Sequence, residues 1–197
     1  RMKELGLNLL RKHIKIEPEC FYYYCDKHGM LVMQDMVSNG YYSFIRDTAL
    51  PTIGLLRKKD HGKSMSALQK ELFESHMQET QKQLFNHPCI IAYTIFNEGW
   101  GQFESDRLYA QAKEADPTRL YDSTSGWFAQ KDSDFDSIHI YFGPGKPKVK
   151  KRPVFLSEFG GYSYLVPEHV YTSKSYGYGT CKSGEELLAY FKEIKDA

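Results

Sequence analysis

The stretch Ile90-Ile91-Ala92-Tyr93-Thr94-Ile95-Phe96-Asn97-Glu98 decides the fold. It is an apolar, β-branched run that stops at a carboxylate, and Val154-Phe155-Leu156-Ser157-Glu158-Phe159-Gly160 repeats that plan. A buried parallel strand reads as a continuous apolar run because both of its faces are covered. Strand and helix signals alternate around these two segments. A short strand is predicted over residues 7–11, then a helix over 18–27 with Pro18 in its first turn and Gly29 just past its end. The strand at 30–35 ends in Asp35, and 37–62 reads as a long loop. The longest helix spans 66–85 and is stopped by Asn86-His87-Pro88, since the residue before proline avoids the helical region. The strand at 89–96 is followed by a helix over 103–115 that Asp116-Pro117 breaks. Further strands fall at 119–122, with 123–126 as exit loop, at 136–141 and at 153–157. Gly143-Pro144-Gly145-Lys146-Pro147-Lys148 is a turn-rich, basic, solvated connector, and a helix over 183–194 closes the chain with Ser183 as N-cap. Six strands alternating with helices or long loops give an α/β fold with a parallel sheet. A doubly wound sheet would announce itself with a glycine-rich phosphate loop, and Gly99-Trp100-Gly101 lacks the third glycine.

With 197 residues the chain has room for one ordinary domain, but a complete eight-stranded barrel takes about 250. Lys and Arg number 26 against 25 Asp and Glu, which gives no electrostatic reason for nucleic acid or an anionic membrane as partner. No apolar run approaches the ~20 residues that span a bilayer. Cys20, Cys25, Cys89 and Cys181 match neither zinc spacing nor a CxxC motif, so free thiols in a reducing, cytoplasmic compartment are expected. The opening Arg1-Met2-Lys3-Glu4-Leu5-Gly6 stands in mid-pattern, which places the expected start of the parent protein upstream.

The chemistry lies at the strand ends. In an α/β barrel the catalytic groups stand at the carboxyl ends of the strands. Two glutamates so presented, Glu98 and Glu158, point to the acid and nucleophile of glycoside hydrolysis. Retaining cleavage needs two carboxyls about 5 Å apart, one protonated and one ionised. The acid keeps its proton through burial or a like charge, whereas the nucleophile needs hydrogen-bond donors and a cation. Each residue also has a plainer reading. Glu98 is then a carboxylate at a helix entry, Glu158 a loop acid, Arg11 an ion-pair partner for Asp35, and Tyr141 ordinary packing. His13 and His139 read as structural histidines or substrate contacts, and Trp100 and Trp127 as core or as platforms for a sugar face. A metal-dependent hydrolase built on His13, Asp35, His139 and Glu158 is the rival enzyme, without a diagnostic spacing. A non-catalytic carbohydrate-binding element is the rival outside enzymes.

Five motifs in order resemble glycoside hydrolase family 2: residues 5–13; 21–32; Asn97-Glu98 with Gly99-Trp100-Gly101; Ser125-Gly126-Trp127 with His139-Ile140-Tyr141; and Ser157-Glu158-Phe159-Gly160-Gly161. The resemblance implies a partial (β/α)8 TIM barrel, approximately strands 2 to 7, as a single segment over 1–197. It implies Glu98 as acid/base and Glu158 as nucleophile. It further implies Asn97 on the sugar 2-hydroxyl, Arg11 as the cation beside Glu158, and Tyr141 as a donor to Glu158. His13, Asp35, Trp127 and His139 join the implied substrate-binding set, with a carbohydrate as partner and no cofactor or metal. Family members act on β-galactosides, β-glucuronides and β-mannosides. Strands one and eight and the family's β-sandwich domains are not found, so the open sheet edges are expected to self-associate or to pair with missing segments of a longer chain. Tyr141-Phe142-Gly143-Pro144 also departs from the His-x-Tyr-Pro run of relatives.

Overall fold

Four strands follow one another in both chain and sheet order: β1 (Leu9–Lys12), β2 (Leu31–Asp35), β3 (Ile90–Asn97) and β4 (Leu120–Ser125). All three pairings are parallel. The chain returns each time through a helix: α1 (Glu19–His28), α3 (Ala67–Leu84) and α4 (Ser105–Ala115). The computed structural model describes residues 1–53, 55, 60, 65–141 and 151–196. The connector read at 143–148, with Phe142, lies outside the described residues.

The described chain divides into two compact units, Arg1–Ser137 and Ile138–Ala197. In the first, the sheet carries its apolar core on the helix side. Tyr22 of α1, Phe73 and Met77 of α3, and Leu108 and Ala112 of α4 pack with Val32, Tyr93, Ile95 and Tyr121. β3 is buried along nearly its whole length, which is why its sequence lacks polar alternation. α3 starts at a capping box: Ser66 accepts from the Gln69 amide while the Gln69 side chain accepts from the Ser66 amide. The α4 start is held by Asp60, whose carboxylate accepts from the Ser105 amide and hydroxyl. At the bottom of the sheet the buried Arg119 donates to Asp116 and to the carbonyls of Phe85, His87 and Ile90, closing three chain segments together.

Several boundaries differ from the sequence reading. The first strand is Leu9–Lys12, and a 3-10 turn at Lys3–Leu5 precedes it. The long loop after β2 is not structureless: Phe44–Ala49 forms a π-helical turn continuing into α2 (Leu50–Thr52). β4 runs on through Ser123, Thr124 and Ser125, read from sequence as exit loop. Backbone pairing of Thr124 with Phe96 and Ser125 with Asn97 holds these residues in the sheet without any apolar side chain.

In the second unit β5 (Asp136–Ile140), which begins two residues earlier, pairs with β6 (Val154–Phe159). A short parallel pair, β7 (Tyr162–Ser163) and β8 (Gly179–Thr180), precedes α5 (Gly184–Asp196). Ser183 accepts from the Glu186 amide as the expected N-cap of α5, and Tyr162 stacks on Tyr190 of that helix at 4.4 Å. The four cysteines are free; Cys20 is exposed and the other three are buried. No described helix is long and apolar enough to cross a membrane.

Candidate active site

β3 ends on Asn97 and the chain turns at once. Glu98 has φ 52°, Gly99 72° and Gly101 66°. The Glu98 amide donates to the Ser125 carbonyl at 3.2 Å, which ties the turn to β4, and the Trp100 amide donates back to Asn97 at 3.0 Å. A non-glycine residue in the left-handed region costs on the order of 1–3 kcal/mol and persists only where its surroundings impose it. Here that residue is the strand-ending acid, buried to 8% exposure. Gly101 has a steric reason: a Cβ there would lie 1.8 Å from the Asn39 carbonyl oxygen, so the loop after β2 closes onto this turn only over glycine. Trp100 Nε1 donates to the Gly40 carbonyl at 3.0 Å, and the Tyr42 ring lies 5.2 Å from the indole.

Beside this turn the strand ends of β1, β2, β3 and β4 share one polar network. Arg11 binds Asp35 through two hydrogen bonds, Nε to Oδ1 at 3.0 Å and Nη2 to Oδ2 at 2.8 Å. The same Nη2 reaches Asn97 Oδ1 at 2.9 Å and Ser125 Oγ at 3.2 Å. Ser125 Oγ also donates to Asn97 Oδ1 at 2.7 Å. The Asn97 carboxamide oxygen is thus occupied, so its NH2 end is the one that can meet a hydroxyl. Burial pushes the Asp35 carboxyl up, but the His13 imidazole and the Arg11 guanidinium outweigh it and hold the group below its usual range. His13 Nδ1 stands 3.6 Å from Asp35 Oδ2, half-exposed at the edge of the network. The Ile14 amide donates to the same oxygen at 3.2 Å. A carboxylate so filled with donors is a poor metal ligand, which argues against the metal reading at His13 and Asp35.

In the same cross-strand row as Asp35, three residues before Ser125 in β4, lies a second buried carboxyl. The register sets Asp35 opposite Thr94 and Thr94 opposite Asp122. Asp122 is almost fully buried, and neither carboxyl oxygen has a partner in hydrogen-bonding geometry among the described residues. Burial pushes it up to about 7, against the weaker pull of Ser137 and of the Arg11 charge. One guanidinium therefore serves two carboxyls, and Asp35 holds it.

In the second unit Tyr141, just past β5, donates its hydroxyl to Glu158 Oε2 at 2.5 Å. His139 Nδ1 lies 3.2 Å from the same phenol oxygen and its Nε2 3.6 Å from Glu158 Oε1. Tyr141 has a single proton and gives it to Glu158, so His139 bonds the phenol by donating Nδ1–H. The result is a directed chain, His139 to Tyr141 to Glu158. Tyr178 stacks on the Tyr141 ring at 3.9 Å and fixes its angle. The Gly160 amide donates to the Ile140 carbonyl at 3.2 Å, anchoring the end of β6 to β5.

Of the residues singled out from sequence, Arg11, His13, Asp35 and Asn97 thus gather in the first unit and His139, Tyr141 and Glu158 in the second. Trp127 stands partly exposed in the turn after β4. Ser125 and Asp122 were not foreseen. Ser125 stood in the expected exit loop and Asp122 at the end of the expected strand 119–122, and only the register with β3 exposes their role.

Comparison with known proteins bears on both units. The family model described as "Glycosyl hydrolases family 2, TIM barrel domain" matches residues 1–145. A protein of Formosa agariphila named "Putative beta-glucuronidase" is 28% identical over 138 residues, 70% of this chain and 12% of that protein. The chain therefore spans about an eighth of the length of that relative. Among solved structures, the GH2 beta-galacturonidase of Eisenbergiella tayi, bound to galacturonate, superposes with a TM-score of 0.63 at 19% identity. It covers 100% of this chain and 35% of that one. The FMN-binding beta-glucuronidase of Facaelibacterium prausnitzii L2-6 gives a TM-score of 0.54 at 22% identity, over 72% of this chain and 21% of that one. These likenesses show a shared fold.

Proposed function

The chain belongs to glycosyl hydrolase family 2, whose TIM barrel domain it carries in part, and on that footing we propose that it supplies both catalytic carboxyls for retaining hydrolysis of a terminal β-glycosidic bond. The observation that carries the reading is the Tyr141 hydroxyl donated to Glu158 at 2.5 Å, which fixes the orientation of the carboxylate for attack. Glu158 forms a bond to the anomeric carbon as the bond to the leaving oxygen breaks, and that oxygen takes the Glu98 proton. Glu98, now a carboxylate, then takes a proton from water as the water oxygen displaces Glu158 from the same carbon. Two inversions give net retention. The Asn97 NH2 group donates to the sugar 2-hydroxyl, a contact that strengthens as the ring flattens toward the oxocarbenium ion. Arg11 and Ser125 act by fixing that carboxamide.

The name of the Formosa agariphila relative makes a β-glucuronide the first substrate to try, with β-galactosides and β-mannosides alongside. The test is a panel of 4-nitrophenyl β-glycosides followed by the 2-deoxy-2-fluoro analogue of any that turns over. Peptide mapping is expected to find the glycosyl group on Glu158. Labelling of another residue overturns the assignment. In Glu98→Ala, added azide is expected to restore turnover and give the β-glycosyl azide.

A further inference from the structure

We propose that Tyr42 and Trp100 form a binding wall for the leaving group, one that selects an aromatic aglycone over a second sugar. The inference rests on the reading of Glu98 as proton donor. A proton from Glu98 goes to the departing oxygen, so the leaving group lies on the Glu98 side of the scissile bond. The residues that border that side are those of the tight turn Glu98 begins. Trp100 is two residues on, and its amide closes the turn on Asn97.

The loop after β2 is sewn to this turn at three points. Trp100 Nε1 donates to the Gly40 carbonyl, Gly101 lies against the Asn39 carbonyl, and the Tyr42 and Trp100 rings meet at 5.2 Å and 52°. The polar handle of each ring is spent on the loop: the indole N–H on Gly40, and the Tyr42 hydroxyl on Thr48 Oγ1. What they leave for a ligand is ring face. The wall continues in one apolar segment, with Tyr41 76%, Phe44 54% and Ile45 67% exposed. Among the described residues of this segment the charges are committed to each other, since Arg46 Nε and Nη2 donate to Asp47 at 2.6 and 2.7 Å. A sugar subsite needs polar side chains aimed at hydroxyls. A ring-faced, charge-paired surface instead gains from burying apolar area and from aromatic stacking.

The test compares kcat/KM for the 4-nitrophenyl β-glycoside with kcat/KM for the β-glycosyl fluoride of the same sugar. Neither leaving group needs much help from an acid, and only the first offers a ring. Tyr42→Ala is expected to lower the aryl-to-fluoride ratio about tenfold, the size of one lost aromatic contact with its buried area. Tyr42→Phe keeps the ring and is expected to keep the ratio. An unchanged ratio in Tyr42→Ala overturns the proposal. So does a selective loss on a disaccharide while the aryl substrate is spared. Turnover of neither substrate by the unmodified protein refutes the hydrolase reading, and the wall is then judged by binding alone. With Trp127→Phe, Trp100 is the single tryptophan of the chain. Saturable quenching of its fluorescence by 4-nitrophenol, lost on adding Tyr42→Ala, supports the wall; absence of quenching overturns it.

Discussion

Replacing Arg11 with methionine tests the network beneath Asn97. The pair it breaks is nearly dry: the Arg11 side chain is 9% exposed and that of Asp35 1%. Methionine refills most of the volume but leaves Asp35 with the Ile14 amide and a His13 nitrogen 3.6 Å away. Stranding one member of a buried ion pair costs about 3–5 kcal/mol. That is a large share of the about 5–15 kcal/mol that holds an ordinary domain. The pH dependence also changes. With Arg11 present, the Asp35 carboxyl titrates below its unfolded value, so its contribution is in place above about pH 4 and fades only as pH falls through the lower, folded value. Without the guanidinium only His13 is left of the two groups that oppose burial, so the folded value moves up and the stability gained above about pH 4 shrinks. Urea titrations followed by far-UV circular dichroism at pH 5 and pH 8 measure both effects. The deficit is expected to be larger at pH 8. Arg11→Met/Asp35→Leu, which removes both charges, is expected to recover most of the loss. A single-variant cost below about 1 kcal/mol, or a double variant at the sum of the two single losses, refutes the argument.

Asp122→Asn removes a carboxyl whose folded value is raised to about 7, so the ionised form is the destabilising one. The variant's advantage in unfolding free energy is expected to grow between pH 4 and 7 and then level, reaching on the order of 4 kcal/mol in urea titrations; parallel curves would show that Asp122 ionises freely. Gly101→Ala drives a methyl into the Asn39 carbonyl and is expected to cost more than about 2 kcal/mol, whereas Gly6→Ala, where nothing lies within 4 Å of the new carbon, costs about 1; equal losses in Tm would mean the loop after β2 yields. Tyr141→Phe keeps the stack on Tyr178 but removes the proton given to Glu158. A fall of about a hundredfold in kcat is expected with Tm nearly unchanged, as for loss of one preorganised donor.

The parts of the fold that were legible in the sequence are those whose side chains are sorted by water. β3 announced itself because both faces are covered, and α3 because Leu68, Leu72, Met77 and Leu84 recur near helical spacing up to the Asn86-His87-Pro88 stop. The last three residues of β4 were not legible, since Ser123, Thr124 and Ser125 have no apolar signal and are kept in the sheet by backbone pairing. The helical turns at 44–52 were hidden in a segment whose hydrophobic residues stay exposed, so burial left no period to read. At the site, the strand-ending carboxylates stood out by position, and Asn97 and Tyr141 through the family resemblance. Whether Arg11 served Asp35 or a catalytic group was open from sequence, and the structure shows its two hydrogen bonds to Asp35. Asp122 was invisible because its importance lies in what surrounds it: a row of neighbours across three strands with one cation among them.

The thiols give the chain reporters of its own. Cys20 is on the surface of α1, while Cys25 and Cys89 are sealed into the first unit and Cys181 into the second. Burial raises the buried three above an ordinary thiol, so they react only when their surroundings open. Pulse alkylation read by mass spectrometry would therefore modify Cys20 at once and the others at the rates at which their own units breathe. Without a single substitution, the native sequence can clock the opening of each unit separately.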